Sequence, residues 1–129
     1  MNENPVIVFV CEHGAAKSII AAAYFNRFAR EMGSDLRAVA RGTNPDDEIP
    51  PEVLRGLAND NLTPMESVPQ RFTEADVQTA QKVITFCDLP SEYQQQAMIE
   101  RWDFIPPVSE NYEQARNVIV ERIRQMLNH

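Results

Sequence analysis

The sequence is poor in cysteine, glycine and positive charge. Its 129 residues include two cysteines and four glycines. Two cysteines are too few for a disulfide-rich secreted scaffold. Twelve lysines and arginines against 19 aspartates and glutamates give a formal net charge of -7. This charge argues against a general binder of nucleic acid or membrane surfaces, because polyanionic partners would be repelled. Any anion must therefore be bound by local geometry.

Long apolar runs and a recognisable leader are also missing. No stretch approaches the roughly 20 apolar residues of a membrane span. Residues 1–5 carry no basic segment ahead of an apolar run. We therefore expect a cytoplasmic protein without membrane contact, in which both cysteines are thiols. The length and the 43% hydrophobic content predict a single domain over residues 1–129.

Strand and helix patterns alternate along the chain. The predicted strands cover residues 6–10, 36–40, 83–86 and 99–104. The predicted helices cover residues 17–32, 50–57 and 111–127, with a short helix beginning at a capping box over 73–76. Such alternation predicts a doubly wound α/β fold with a parallel sheet, whose ligand crevice lies at the carboxyl ends of the strands.

The segment between the first strand and the first helix has the composition of an anion-binding loop. The strand ends at Val10 and the helix begins near Lys17, so backbone N–H groups of the turn can face an anion at the positive end of the helix dipole. Small residues allow close approach of the backbone, and Lys17 adds a positive charge at the rim. The predicted cradle consists of Glu12, His13, Gly14, Ala15 and Ala16.

Cys11 immediately precedes this cradle and is the predicted nucleophile. The same N–H groups and helix dipole stabilise a thiolate, and a thiolate held against phosphate or arsenate can attack phosphorus or arsenic. Ser18 is predicted to donate a hydrogen bond to the sulfur as it leaves. The alternative interpretation is a buried structural cysteine. The order of strand, cysteine, small-residue loop, Lys-Ser and helix favours the functional interpretation.

Three short motifs follow the predicted strands. They are Val8-Phe9-Val10-Cys11 followed after five residues by Lys17-Ser18, then Arg41-Gly42-Thr43 and Phe86-Cys87-Asp88. Together they resemble the motifs of the low-molecular-weight protein tyrosine phosphatases and the related thioredoxin-coupled arsenate reductases. The resemblance implies a three-layer sandwich in which helices flank a four-stranded parallel sheet, with the anion loop after the first strand. It also implies that Cys11 is the nucleophile, that Ser18 assists the leaving thiolate, and that residues 12–16 bind phosphate.

Two positions differ from the family pattern. Lys17 replaces an arginine, and a lysine cannot make the planar two-pronged contact to two phosphate oxygens. Ile105 stands before Pro106, where the family has the aspartate that acts as general acid. Asp103 is a substitute candidate for that acid, with a solvated or capping role as its alternative. His13 and Glu12 are the other candidates.

Cys87 has two interpretations, and the few cysteines and histidines of the chain bear on whether it binds a metal. In a reductase, Cys87 would attack the arsenic adduct of Cys11 and form a disulfide. The alternative interpretation of Cys87 is a structural one, in which it is a small apolar-like residue at the end of a strand. Cys11 and His13 lack a second Cys/His pair, with only Cys87 and His129 left, so we predict neither metal nor cofactor.

Three functions remain open. The first is a phosphatase that acts on a phosphomonoester through a phosphocysteine intermediate. The second is an arsenate reductase supplied by a thiol reductant protein. The third is a non-catalytic module that binds an oxyanion or a phosphoprotein.

Overall fold

The computed structural model describes residues 6–93 and 98–128; residues 1–5 and His129, which entered the sequence predictions, lie outside this part. Strands and helices alternate as predicted. In chain order the elements are β1 (Val6–Cys11), α1 (Lys17–Glu31), β2 (Arg37–Gly42), α2 (Pro51–Asn59), α3 (Glu74–Thr79), β3 (Ala80–Thr85), a short 3₁₀ turn (Ser91–Tyr93), β4 (Ile99–Arg101) and α4 (Tyr112–Leu127).

The four strands form one parallel sheet in the order β2-β1-β3-β4, which confirms the predicted α/β fold. β1 is an interior strand, and its side chains from Ile7 to Cys11 are buried on both faces. Cys11 lies opposite Gly42 of β2, and Val10 lies opposite Thr85 of β3. The carboxyl ends of these three strands therefore meet at one edge of the sheet.

Helices cover both faces of the sheet and form a core on each. On one face α1, α2 and α4 pack around Ile7 and Phe9. On the other face α3 and the segment before it pack on Val8 and Val10. α4 faces the core with Ala115, Ile119 and Ile123, which are buried, and with Tyr112 and Met126 near its ends, which are half-buried. No described helix combines the length and apolar composition that a membrane crossing requires.

All four strands differ from the sequence prediction at one boundary or more. β1 ends at Cys11 instead of residue 10, β2 covers Arg37–Gly42 instead of residues 36–40, and β3 ends at Thr85 instead of residue 86. The largest differences are at the start of β3 and the end of β4. β3 begins at Ala80, directly after α3, whereas the apolar run predicted it from residue 83. The first three residues of β3 are exposed or half-buried, so they carry no apolar signal. β4 ends at Arg101 instead of continuing to Phe104. Phe104 has a φ of 66°, which an extended strand does not allow.

The outer edge of β2 is covered by side chains and by a returning segment. The Asn26 side chain donates to the carbonyl of Ala38 at 3.0 Å and accepts from its N–H at 2.7 Å. Glu66 accepts from the N–H of Ala40 at 3.0 Å. The chain that follows Glu66 then pairs with Gly42. These contacts satisfy edge groups that would otherwise offer a template for another strand.

Candidate active site

The anion loop after β1 packs closely against the end of β2. Gly14 has a φ of 62°, in the left-handed region that favours glycine. A Cβ atom on Gly14 would lie 2.8 Å from the backbone nitrogen of Gly42, and one on Gly42 would lie 2.6 Å from that of Gly14. Real Cβ atoms essentially never come so close. The loop therefore needs glycine at both positions.

A second loop, residues 43–46, holds the anion loop by three backbone hydrogen bonds. The N–H of Thr43 donates to the carbonyl of Cys11 at 3.1 Å, and that of Asn44 donates to Glu12 at 2.7 Å. The N–H of Asp46 donates to the carbonyl of His13 at 3.0 Å. These bonds fix the backbone of the first three residues of the loop.

The N-terminus of α1 opens directly from the anion loop. Its N-cap is Ala16, no side chain of the described structure caps it, and its first turn contains no acidic residue. The first backbone hydrogen bond to the N-cap residue is donated by the N–H of Ile20 and accepted by the carbonyl of Ala16. Earlier N–H groups of a helix have no intrahelical partner. They and the helix dipole favour an anion at this end.

Cys11 and Ser18 are brought into contact across this loop. The Cys11 sulfur lies 3.1 Å from the Ser18 hydroxyl oxygen. Cys11 is 8% exposed and Ser18 is fully buried. A hydroxyl at this distance can donate to a thiolate, which is the contact that the sequence motif predicts.

A cavity of about 360 Å³ opens above Cys11. Its walls come from the anion loop, the second loop, the start of α2, the end of β3 and the segment before α4. The lining residues are Cys11, Glu12, His13, Ala15, Ala16, Lys17, Asp46, Pro50, Glu52, Phe86, Cys87, Pro107, Val108 and Ser109. The predicted site residues therefore share one cavity, except that Gly14 packs on Gly42, Ser18 is buried beside Cys11, and Asp103 lies elsewhere.

Lys17 is the only lysine or arginine among the lining residues. It is half-buried, and it forms no ion pair or side-chain hydrogen bond with the described part of the chain. Three carboxylates, Glu12, Asp46 and Glu52, share the wall with it. The positive charge of Lys17 is therefore free to meet an anion in a cavity whose mouth is otherwise acidic.

Cys87 lines the same cavity as the anion loop. Its N–H donates to the Thr85 hydroxyl oxygen at 3.1 Å, and that hydroxyl donates to the Cys87 carbonyl at 2.7 Å. Burial raises the pKa of the Cys87 thiol, the hydrogen bond with Thr85 partly offsets this, and negative charge on Cys11 raises it further. Cys87 is thus held more strongly as a thiol than a free cysteine is.

The three candidates for the general acid are placed differently. Asp103 accepts a hydrogen bond from the Nε of Arg101 at 2.7 Å, and it does not line the cavity. Ile105, which stands where the resemblance implies the general acid, is buried in the core. His13 and Glu12 both line the cavity. The structure thus brings the loop candidates to Cys11 and leaves Asp103 outside.

Two carboxylates of the site were not singled out by the sequence. Asp46 and Glu52 line the cavity. In the sequence, Asp46 lies in a connection outside the predicted elements, and Glu52 lies in the first turn of the predicted helix 50–57. The acidic run at 46–48 is typical of a solvated turn. No group of three or more His, Cys, Asp or Glu side chains within residues 6–93 and 98–128 is arranged to hold a metal ion.

A family model matches nearly the whole described chain and agrees with the fold. The model for low molecular weight phosphotyrosine protein phosphatases matches residues 6–129. The chain belongs to this family. Comparison with curated protein sequences gives no significant match.

Solved structures of similar fold include both enzyme types of the resemblance. A thioredoxin-dependent arsenate reductase from Corynebacterium glutamicum is 24% identical, with a TM-score of 0.77 over 96% of this chain and 60% of its own. An arsenate reductase from Archaeoglobus fulgidus is 23% identical, with a TM-score of 0.77 over 95% and 99%. A low molecular weight protein tyrosine phosphatase from T. tengcongensis is 17% identical, with a TM-score of 0.81 over 96% and 98%. These similarities show the fold and leave the activity open.

Proposed function

We propose that the chain is a cysteine-dependent phosphatase that hydrolyses phosphomonoesters through a phosphocysteine at Cys11. The contact of the Cys11 sulfur with the Ser18 hydroxyl at 3.1 Å carries this proposal. It lies below the cavity and beside the uncapped first turn of α1. A buried structural cysteine would need neither the hydroxyl partner nor the open cavity above it.

The reaction has two steps. The Cys11 thiolate attacks phosphorus, an S–P bond forms, and the P–O bond breaks with its electron pair on the leaving oxygen. Water then attacks the phosphocysteine, and the S–P bond breaks to give phosphate and the thiolate. Ser18 donates to the thiolate in both its attacking and its departing form. The backbone N–H groups of the loop and Lys17 hold the phosphoryl oxygens.

The first test is release of phosphate from p-nitrophenyl phosphate in reducing buffer. We expect Cys11→Ala to lower the rate to background. Lys17→Arg should raise the rate by about tenfold, since a two-pronged contact worth about 1.4 kcal/mol more in the transition state has that effect. Cys87→Ala is the matched control, with a cysteine removed from the same cavity, and should retain activity.

Three results would contradict the proposal. They are turnover that persists in Cys11→Ala, loss of turnover in Cys87→Ala equal to that in Cys11→Ala, and no turnover in any variant. Phosphate binding without any turnover would instead identify a module that only binds oxyanions.

Arsenate reduction is the second candidate, because Cys87 shares the cavity with Cys11. In that reaction Cys87 would attack the Cys11–arsenic adduct, release arsenite and form a disulfide that a thiol reductant protein then reduces. The raised pKa of the Cys87 thiol disfavours the attacking thiolate. Arsenate-dependent oxidation of reduced thioredoxin that requires Cys87 would identify this activity.

A further inference from the structure

A histidine and a carboxylate meet at the wall of the cavity. The Nδ1 of His13 lies 3.1 Å from the Oδ1 of Asp46, and both residues line the cavity above Cys11. The side chain of His13 is 57% exposed and that of Asp46 is 50% exposed. The imidazole is therefore accessible to solvent and to a molecule that enters the cavity.

The backbone fixes how the two side chains meet. The N–H of Asp46 donates to the carbonyl of His13 at 3.0 Å, and the neighbouring bond from Asn44 to Glu12 is 2.7 Å long. His13 and Asp46 are thus joined through both backbone and side chain. Nδ1 faces the Asp46 carboxylate, so Nε2 is the ring nitrogen left to meet a molecule in the cavity. Glu12 Oε1 lies 4.0 Å from Nε2, within ion-pair distance of a protonated imidazole but beyond hydrogen-bond distance.

The segment before α4 contributes no comparable proton donor to the described lining of the cavity. The segment before α4 contributes Pro107, Val108 and Ser109 to the cavity, and none of them carries a carboxyl or imidazole group. Asp103 of the same segment is bound to Arg101. A phosphatase reaction with a poor leaving group nevertheless needs a proton at the departing oxygen.

We propose that His13, positioned by Asp46, is the general acid and base of this site. The proposal rests on the phosphatase activity proposed above. As the Cys11 sulfur bonds to phosphorus and the P–O bond breaks, the proton on Nε2 passes to the departing oxygen. Neutral His13 then takes a proton from the water that attacks the phosphocysteine. The S–P bond breaks, the thiolate leaves, and Nε2 carries its proton again. Asp46 is a positioning residue in both steps.

The test compares two substrates that differ in their need for a proton. Phenol is a weak acid of pKa about 10, like the tyrosine side chain, so phenyl phosphate depends on the general acid. The p-nitrophenolate ion is a much better leaving group. We expect His13→Gln to lower kcat for phenyl phosphate by about 100-fold, and to lower kcat for p-nitrophenyl phosphate far less. Asp46→Asn should change the ratio of the two rates in the same direction by a smaller factor.

Controls separate this role from a structural one. Asp47→Asn removes an exposed neighbouring carboxylate that does not line the cavity, and it should leave the ratio unchanged. Inhibition by inorganic phosphate and the unfolding temperature of His13→Gln should match those of the wild type. An equal fall on both substrates, or no fall on either, would overturn the assignment while Cys11-dependent turnover stands. Absence of Cys11-dependent turnover in the wild type would overturn the proposed function, and this assignment with it.

Discussion

Cys11 and Cys87 line one cavity but have different surroundings. Cys11 contacts a buried hydroxyl beside the open first turn of α1. Cys87 is half-buried at the end of β3 and is tied to Thr85. Cysteine reactivity depends on the thiolate, so these surroundings support the proposal that Cys11 attacks and that Cys87 does not.

Alkylation rates test this difference between the two thiols. Because the pKa of the Cys87 thiol is raised, less of it is thiolate at a given pH than for free cysteine. The alkylation rate of Cys87 therefore continues to rise at pH values where the rate for free cysteine has reached its plateau. We expect iodoacetamide to modify Cys87 more slowly than free cysteine in the same neutral buffer, as followed by mass spectrometry of peptides. Free cysteine reacting no faster than Cys87 would contradict the effect of burial.

The sequence predicts local site residues better than distant ones. Cys11, Lys17 and Ser18 lie within one loop and one helix turn, so their order already fixes their proximity. Asp46 meets His13 only because a second loop docks on the first through backbone bonds, which no residue pattern encodes. Asp103 was a candidate by its position near a proline. Its pairing with Arg101 depends on where β4 ends, which the sequence did not predict correctly.

At the scale of elements, Asn26 connects α1 to the edge of the sheet. Its buried amide meets both backbone groups of Ala38, so one side chain satisfies a donor and an acceptor on β2. A buried polar group that loses its partner costs about 1–3 kcal/mol. Asn26 is therefore a principal polar contact between helix and sheet.

Replacement of this side chain should destabilise the fold. We expect Asn26→Ala to lower the free energy of unfolding by about 2–4 kcal/mol, since both backbone groups of Ala38 lose their partner. Urea titration followed by circular dichroism measures the change. Asn117→Ala, on the exposed face of α4, is the matched control and should stay within about 0.5 kcal/mol of the wild type. A change equally small in Asn26→Ala would contradict the assigned contact.

Element types were predictable because the hydrophobic patterns of β1, α1 and α4 report burial directly. All of the buried residues from Ile7 to Val10 are apolar, as an interior parallel strand requires. The boundaries of β3 and β4 were not predictable, since β3 begins with exposed or half-buried residues and β4 has an exposed end. Pairing with a neighbouring strand makes these residues part of a strand, and their hydrophobicity does not indicate it.

For the whole molecule, the acidic surface and the anion site are compatible because recognition is local. The net charge is -7, and three carboxylates share the cavity wall with Lys17. The negative field is countered close to Cys11 by the N-terminus of α1 and by Lys17. The sequence-based expectation that an anion is bound by local geometry stays a prediction, and this arrangement supports it.

Family membership and fold follow from motifs spread along the chain, whereas the reaction does not. The cysteine loop and the alternation of elements were sufficient to predict the parallel sheet and the family. The choice between hydrolysis and reduction depends on proton delivery and on the behaviour of Cys87. Both depend on contacts between residues distant in sequence, which only the folded chain defines.

Trapping the covalent intermediate is the most direct test of the central claim. Wild-type protein is mixed with substrate carrying radiolabelled phosphate, quenched in acid within one turnover, digested and analysed by mass spectrometry. We predict label on the peptide that contains Cys11, loss of that label in Cys11→Ala, and its retention in Cys87→Ala. Release of phosphate by the wild type with no label on Cys11, or with label on another residue, would contradict a thiolate phosphatase.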